Sequence, residues 1–230
     1  LKWTKIGDVW SIGRQHKKRL EYLGIENAWQ FTLLSEDWVK KHMSVVGVRI
    51  KRDLMGLPSI QLEEIQPQKK CIATTRSFEG TISNFSDLEE RISTFASSCA
   101  EKMRKQQSSC SAMLVFIKSD PHKKNTVPYQ NSYVLNLPYI TDSNIILSKY
   151  AVIGLKKIFK KGISYKKAGV MIMGLTPTTK RQLSLFNNNN VKHISIMQSV
   201  DKIHKRFGPH KIKLANQDLN RTWKMKQQYL

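Results

Sequence analysis

A chain of 230 residues is long enough for one large or two small globular domains. Its 39 Lys and Arg against 17 Asp and Glu give a formal net charge of +22 and a pI of about 10.0, far outside the range of an ordinary enzyme of small molecules and calling for a polyanionic partner. Cys71, Cys99 and Cys110 are odd in number and lack C-x-x-C spacing, so neither a disulfide framework nor a zinc site follows.

A reducing cytoplasm fits this cysteine usage. No apolar run approaches the roughly 18 residues of a membrane span, and no signal peptide opens the chain. The opening Leu1-Lys2-Trp3 runs straight into a folded-looking segment, which reads as a fragment. The charge is uneven: residues 149–230 carry a net +16 and residues 1–148 a net +6.

In chain order, residues 1–57 predict a small all-helical module. Gly13 precedes a basic helix over Arg14 to Leu23, Gly24 stops it, and Ser35 with Glu36 and Asp37 starts another. A linker over 58–70 leads to a domain over 71–177. Candidate strands there are Cys71 to Phe78, Ala112 to Lys118, Tyr133 to Leu137 and Ala168 to Met173. Ser86 and Glu89 form a capping-box pattern before a helix whose Leu88, Ile92, Phe95, Cys99 and Met103 recur at helical spacing, opposite Glu90, Arg91, Glu101 and Arg104. A second helix, about Asn144 to Lys161, sets Leu147, Ala151, Leu155 and Ile158 against Lys149, Lys156 and Lys160.

The fold class expected is therefore α+β: the helical module, then a β-α-β-β-α-β domain with two helices on one face of a four-stranded antiparallel sheet and the other face free for a ligand, then a partly helical basic tail. Residues 178–190 form a linker whose Asn187 to Asn190 run reads as a spacer. In the tail, over 191–230, Ile196, Val200, Ile203 and Phe207 predict a helical stripe ended by Gly208-Pro209.

Several segments carry chemistry, each beside a plainer reading. Ile6 to Gly24 looks like a helix-hairpin-helix, in which backbone N–H groups at Ile12, Gly13 and Arg14 hold a phosphate and Lys17 and Lys18 add charge; otherwise Gly13 merely turns a helical pair. Ser11 stands where the hairpin's first glycine would be, which suits the motif if that position keeps a negative φ. Thr75, Arg76 and Ser77 at the end of the first strand, and Lys118 at the end of the next, are phosphate contacts or solvated strand ends. Lys156, Lys157, Lys160, Lys161, Lys166 and Lys167 make a basic ridge or a solvated face.

Gln182-Leu183-Ser184-Leu185-Phe186 matches a Q-L-x-L-F peptide that docks on a sliding clamp, with Leu185 and Phe186 filling an apolar pocket and Gln182 bonding at its rim. The alternative is a set of linker hydrophobes packed on the domain. The acidic pairs Glu36-Asp37, Glu63-Glu64 and Glu89-Glu90 read as a helix first turn, a linker and a capping box. They do not read as the converging carboxylates of two-metal nucleotidyl transfer. His16 and His204 read as surface residues.

The order of these features resembles that of the UmuC-type Y-family translesion DNA polymerases. The hairpin, Gln61-Leu62-Glu63-Glu64, Arg76-Ser77-Phe78, Lys167-Ala168-Gly169-Val170-Met171, Gln182 to Phe186, Asp201-Lys202-Ile203, Arg206-Phe207-Gly208 and Trp223-Lys224-Met225-Lys226 carry the likeness over essentially the whole chain. The resemblance implies a thumb, a little-finger DNA-binding domain, a clamp peptide and a tail from the C-terminal part of a lesion-bypass polymerase acting in the SOS response. The partners implied are primer-template DNA, the beta sliding clamp, the UmuD′ dimer and RecA. Polymerase chemistry, and the Mg²⁺ it uses, would lie in palm and fingers domains preceding this region, so the chain is expected to be inactive alone and to hold no cofactor. The competing classes are an RNA-binding module of RRM-like topology, whose RNP1 aromatics are missing from Tyr133 to Leu137; an accessory DNA-binding protein from a split gene; and a membrane-surface binder, for which Trp and Phe are too few.

Overall fold

A computed structural model of the chain describes residues 1–60, 67–123, 128–180, 191–209 and 211–217. The chain divides into two compact units, Leu1–Gln66 and Pro67–Leu230.

The first unit is helical. A single 3-10 turn over Ile6–Asp8 is followed by α1 (Arg14–Tyr22), α2 (Ala28–Thr32) and α3 (Glu36–Leu54). Helices of this length hold only by burying one face, and Ile6, Val9, Ile12, Leu20, Ile25, Phe31, Val39 and Met43 form the shared core. Asn27 caps α2 in a reciprocal box with Gln30, and Ser35 caps α3 through the N–H of Trp38 at 3.2 Å. Gly24, with φ +77, ends α1 in a Schellman arrangement: the Ile25 N–H bonds the Leu20 carbonyl and the Gly24 N–H the Glu21 carbonyl. Two features were not legible in the residues. The first arm of the expected helix-hairpin-helix is only the three-residue 3-10 turn. And α3 is broken at Ser44, whose φ of 62° and ψ of −169° fall outside the helical region.

Ser11 also differs from expectation. The Ile12 N–H bonds the Val9 carbonyl at 3.1 Å, closing a turn with Trp10 and Ser11 at its centre, and Ser11 takes φ +72. That is the pattern of a type II turn, whose third residue favours glycine. The turn closes with serine in a left-handed conformation.

The second unit is a four-stranded antiparallel sheet of β1 (Ile72–Ile82), β2 (Ser108–Ser119), β3 (Gln130–Thr141) and β4 (Tyr165–Pro177), in the order β1-β4-β2-β3. Between them run α4 (Phe85–Lys105) and α5 (Asn144–Ile158), which pack on each other and on one face of the sheet. Every residue of the two expected stripes is buried: Leu88, Ile92, Phe95, Cys99 and Met103 on α4, Leu147, Ala151, Leu155 and Ile158 on α5. They meet Ile72, Met113, Val115, Ile117, Leu135, Ala168, Val170 and Ile172 of the strands. The third strand, β3, which holds Tyr133 to Leu137, is an edge, and the central strands are β2 and β4.

Four details correct the sequence reading. The N-cap of α4 is Asn84, with no side-chain cap bond, so Ser86 and Glu89 both lie inside the helix and form no capping box. Arg104 does not face solvent: its side chain is 9% exposed and is bound to Asp201. The last described helix, α6 (Val191–Phe207), docks through a face other than the one expected. Met197 is buried, with its sulfur accepting the Asn144 N–H at 3.4 Å, and His193 lies 3.2 Å from the Ser143 hydroxyl. Ile196 and Phe207, members of the expected stripe, are exposed. His204 is no surface residue either, for its side chain is 10% exposed and its Nε2 lies 3.1 Å from the Ile212 carbonyl.

Candidate nucleic-acid interface

In the first unit, Gly13 is the exposed N-cap of α1, and no side chain caps the N–H groups that follow it. Ile12 belongs to the core and its N–H is spent on the Val9 carbonyl, so, against expectation, it offers no free N–H to a phosphate. Arg14 is exposed. Lys17 lays its stem over Gly7, where a Cβ would come within 2.6 Å of the lysine Cδ, and its ammonium is 3.7 Å from Glu21. Its charge is thereby partly turned toward its own helix.

In the second unit, strand alternation sorts the expected residues. On β1, Ile72, Thr74 and Phe78 are buried toward the helices. Thr75 and Ser77 fall on the open face, and Arg76, in step with Thr74, falls on the helix-backed side with Nη1 donating to the Thr75 carbonyl at 3.1 Å. The three residues are not brought together on one surface. Lys118 of β2 stands directly opposite Lys167 of β4, which stands opposite Ser77 of β1. The next row along the open face is Thr75, Gly169, Phe116 and Ser132, and the one after it Ala73, Met171, Leu114 and Val134. The open face thus has a basic and hydroxyl-bearing end beside an apolar middle.

Within that middle, Phe116 lies across Gly169. A Cβ on Gly169 would come within 2.5 Å of the Phe116 Cε1 and 2.6 Å of the Thr75 Cγ2. Gly169 is what lets the ring lie flat on the sheet and reach the edge strand.

The expected lysine ridge is not one surface. Lys156 and Lys157 are exposed on α5, Lys160 sits 5.1 Å over the Tyr129 ring, and Lys166 donates to the Glu79 carbonyl at 2.8 Å. Of the six, Lys167 alone belongs to the open face. The signal for it was present in the residues: Lys167 alternates with Ala168 and Val170 in a strand whose apolar parity points to the core. Gln182, Leu183, Leu185 and Phe186 lie outside the described residues, as do Gln61 to Glu64 and Asn187 to Asn190.

Three of the described carboxylates are engaged by cations. Glu36 is held by Arg52 at 2.6 Å, Glu101 by Lys105 at 2.9 Å and Asp201 by Arg104 at 2.7 Å, each on its own cation. The Arg52 hydrogen bond keeps the Glu36 carboxyl below its ordinary value. Mg²⁺ has no fitting set of ligands among the described residues, and none of the described helices is long and apolar enough to cross a membrane.

Comparison with known proteins bears on this arrangement. A model of the impB/mucB/samB family C-terminal domain matches residues 69–185, which hold the whole sheet and both of its helices. The chain belongs to this family. Among impB/mucB/samB relatives, protein UmuC of Salmonella typhimurium strain LT2 is 32% identical over 227 residues, covering 98% of this chain and 54% of that protein. Protein SamB of Salmonella typhimurium is 32% identical over 234 residues, covering all of this chain and 54% of that protein. Protein ImpB of the same species is 29% identical over 227 residues, covering 98% and 53%. The chain spans about half the length of the curated relatives it matches. A second model, for a domain of unknown function, matches residues 195–230, beginning within α6 of this family member.

Proposed function

We propose that this chain is the DNA-gripping and clamp-docking portion of an error-prone translesion DNA polymerase that works in SOS repair and mutagenesis. The sheet's open face takes the sugar-phosphate backbone through Lys118, Lys167, Thr75 and Ser77, and the hairpin of the first unit takes a phosphate at Gly13 and Arg14. Nucleotidyl transfer and its Mg²⁺ belong to palm and fingers domains outside these residues. Gln182 to Phe186 docks on the beta sliding clamp, and the UmuD′ dimer and RecA are partners of the whole polymerase in the bacterial cytoplasm.

The observation that carries the reading is Lys118 directly opposite Lys167 in adjacent central strands. Like charges so placed destabilise a sheet, and a phosphate between them reverses the sign of the interaction. A grip on the backbone rather than on base edges also explains how a damaged base can be accommodated, since phosphate contacts carry no sequence information.

The test is the salt dependence of DNA affinity. A log–log slope of about −5 corresponds to roughly six neutralised phosphates, and Lys118→Gln or Lys167→Gln should each reduce its magnitude by about 1. A slope near zero in the parent chain would defeat the proposal. For the clamp, Leu185→Ala and Phe186→Ala should abolish pull-down, and full retention would remove that part.

A further inference from the structure

Trp10 sits at the centre of the turn that precedes α1 and is 91% exposed. Its neighbours are fixed. Val9 and Ile12 are buried at 8% and 6% exposure, and the Ile12 N–H closes the turn on the Val9 carbonyl. The indole is therefore held out into solvent by an anchored turn. Of the other tryptophans of this unit, Trp29 has the Lys2 ammonium 5.7 Å from its ring, Trp38 lies 4.4 Å from the His42 ring, and Trp3, 98% exposed, lies outside this anchored turn. Trp10 has no such contact among the described residues.

The surface just after this turn is concave and basic, a depression of about 540 Å³ lined by Gly13, Arg14, Gln15, His16 and Lys18. A large flat apolar group beside a cationic depression matches one ligand chemistry: a polyanion that carries flat, apolar faces along its length. Nucleic acid has that chemistry, with phosphates at regular intervals and a nucleoside attached to each. An acidic peptide would supply the charge without the stacking faces.

We infer that Trp10 is a nucleoside-contacting residue, its indole lying against the base or sugar next to the phosphate taken by the hairpin. This rests on the proposed DNA grip and adds to it a contact that is not electrostatic. The two kinds of contact separate in a salt titration. Releasing counterions sets the slope, whereas stacking shifts affinity by the same factor at every salt concentration.

The experiment uses the full 230-residue chain and oligonucleotides of equal length, single-stranded and blunt duplex, with affinity read by fluorescence anisotropy across a salt series. Trp10→Ala should weaken binding about tenfold at every salt concentration with the slope unchanged, and Trp10→Phe should recover most of that loss. Arg14→Gln, by contrast, should lower the slope by about 1. A Trp10→Ala loss confined to single strands assigns the contact to a base, and a loss on both assigns it to the sugar. If both affinities stay within about twofold of the parent, or if the change appears in the slope, the inference is overturned. A parent chain with no salt dependence would instead overturn the DNA grip itself. The melting temperature of Trp10→Ala serves as the control, and no shift is expected at so exposed a position.

Discussion

Asp201 on α6 holds the guanidinium of Arg104 on α4 through two hydrogen bonds of 2.7 Å, one to Nε and one to Nη2. The remaining nitrogen, Nη1, donates to the Asp142 carbonyl and the Asn144 Oδ1, each at 2.7 Å. One buried cation therefore ties the end of β3, the start of α5 and the last described helix to α4. It also joins the impB/mucB/samB domain to the segment matched by the domain of unknown function. Removing the carboxylate leaves half of a buried guanidinium unpaired. Asp201→Ala should destabilise the docking of α6 by about 2–3 kcal/mol, the scale of a hydrogen-bonded charge. Limited proteolysis should then cut within residues 192–206 faster than in the parent. Equal rates would show that Arg104 does not hold α6.

Gly169 and Phe116 make a second testable pair, on the open face of the sheet. A methyl at position 169 would stand 2.5 Å from the ring and 2.6 Å from the Thr75 methyl, so the ring must lift off. Gly169→Ala should destabilise the second unit by about 1–3 kcal/mol, as overpacking does. Adding Phe116→Leu should return part of that loss, a coupling a double-mutant cycle in urea would measure. Additive effects would mean that the ring does not rest on the glycine.

The order and kind of elements in the second unit were legible because its core residues keep strict periods: every third or fourth position on α4 and α5, every second on the strands. The strand ends were not. Glu79 to Thr81, Ser108-Ser109 and Gln130 to Ser132 are polar and are held in strands by the sheet, so hydrophobic alternation says nothing of them. The phase of α6 was unreadable for a related reason. Its docked face is partly polar, with His193, Asp201 and His204 meeting Ser143, Arg104 and Glu101, and an apolar stripe is a guide only where burial is apolar. Lys118 was found at its strand end, but its partner Lys167 emerged only with the register, because cross-strand neighbours are distant in the sequence.

The two serines with positive φ carry a conformational penalty that glycine would relieve. Ser44, at φ 62 and ψ −169, lies in a region essentially reserved for glycine, worth roughly 1–3 kcal/mol of strain. Its hydroxyl returns little, since the bond it accepts from the Val46 N–H is 3.4 Å long. Glycine loses about 0.5–1 kcal/mol more backbone entropy on folding, so the net gain of Ser44→Gly should be about 1 kcal/mol. Ser11, at φ 72, carries the smaller left-handed penalty, and Ser11→Gly should gain about 0.5 kcal/mol. Urea unfolding of the chain would rank the two, and a loss of stability in Ser44→Gly would contradict the strain.

The cysteines predict how stability depends on alkaline pH. Burial pushes the Cys110 thiol up to about 12 from 9.0, and burial also raises that of Cys99, against the pull of its bond to Thr74 and the nearby Lys102. A thiol whose folded value exceeds its unfolded one favours the folded state fully at pH below the unfolded value. That advantage disappears as pH rises through the window between the two. For Cys110 the window runs from 9.0 to about 12, so the second unit should lose stability across it, and Cys110→Ala should flatten that limb of the curve. The same burial governs reactivity, because the thiolate is the nucleophile. Cys71 is exposed, so iodoacetamide near neutral pH should alkylate it in the native chain and reach Cys99 and Cys110 only after denaturation. Mass spectrometry of the labelled peptides would decide, and native labelling of Cys110 would show that the sheet opens at β2 more readily than its buried core implies.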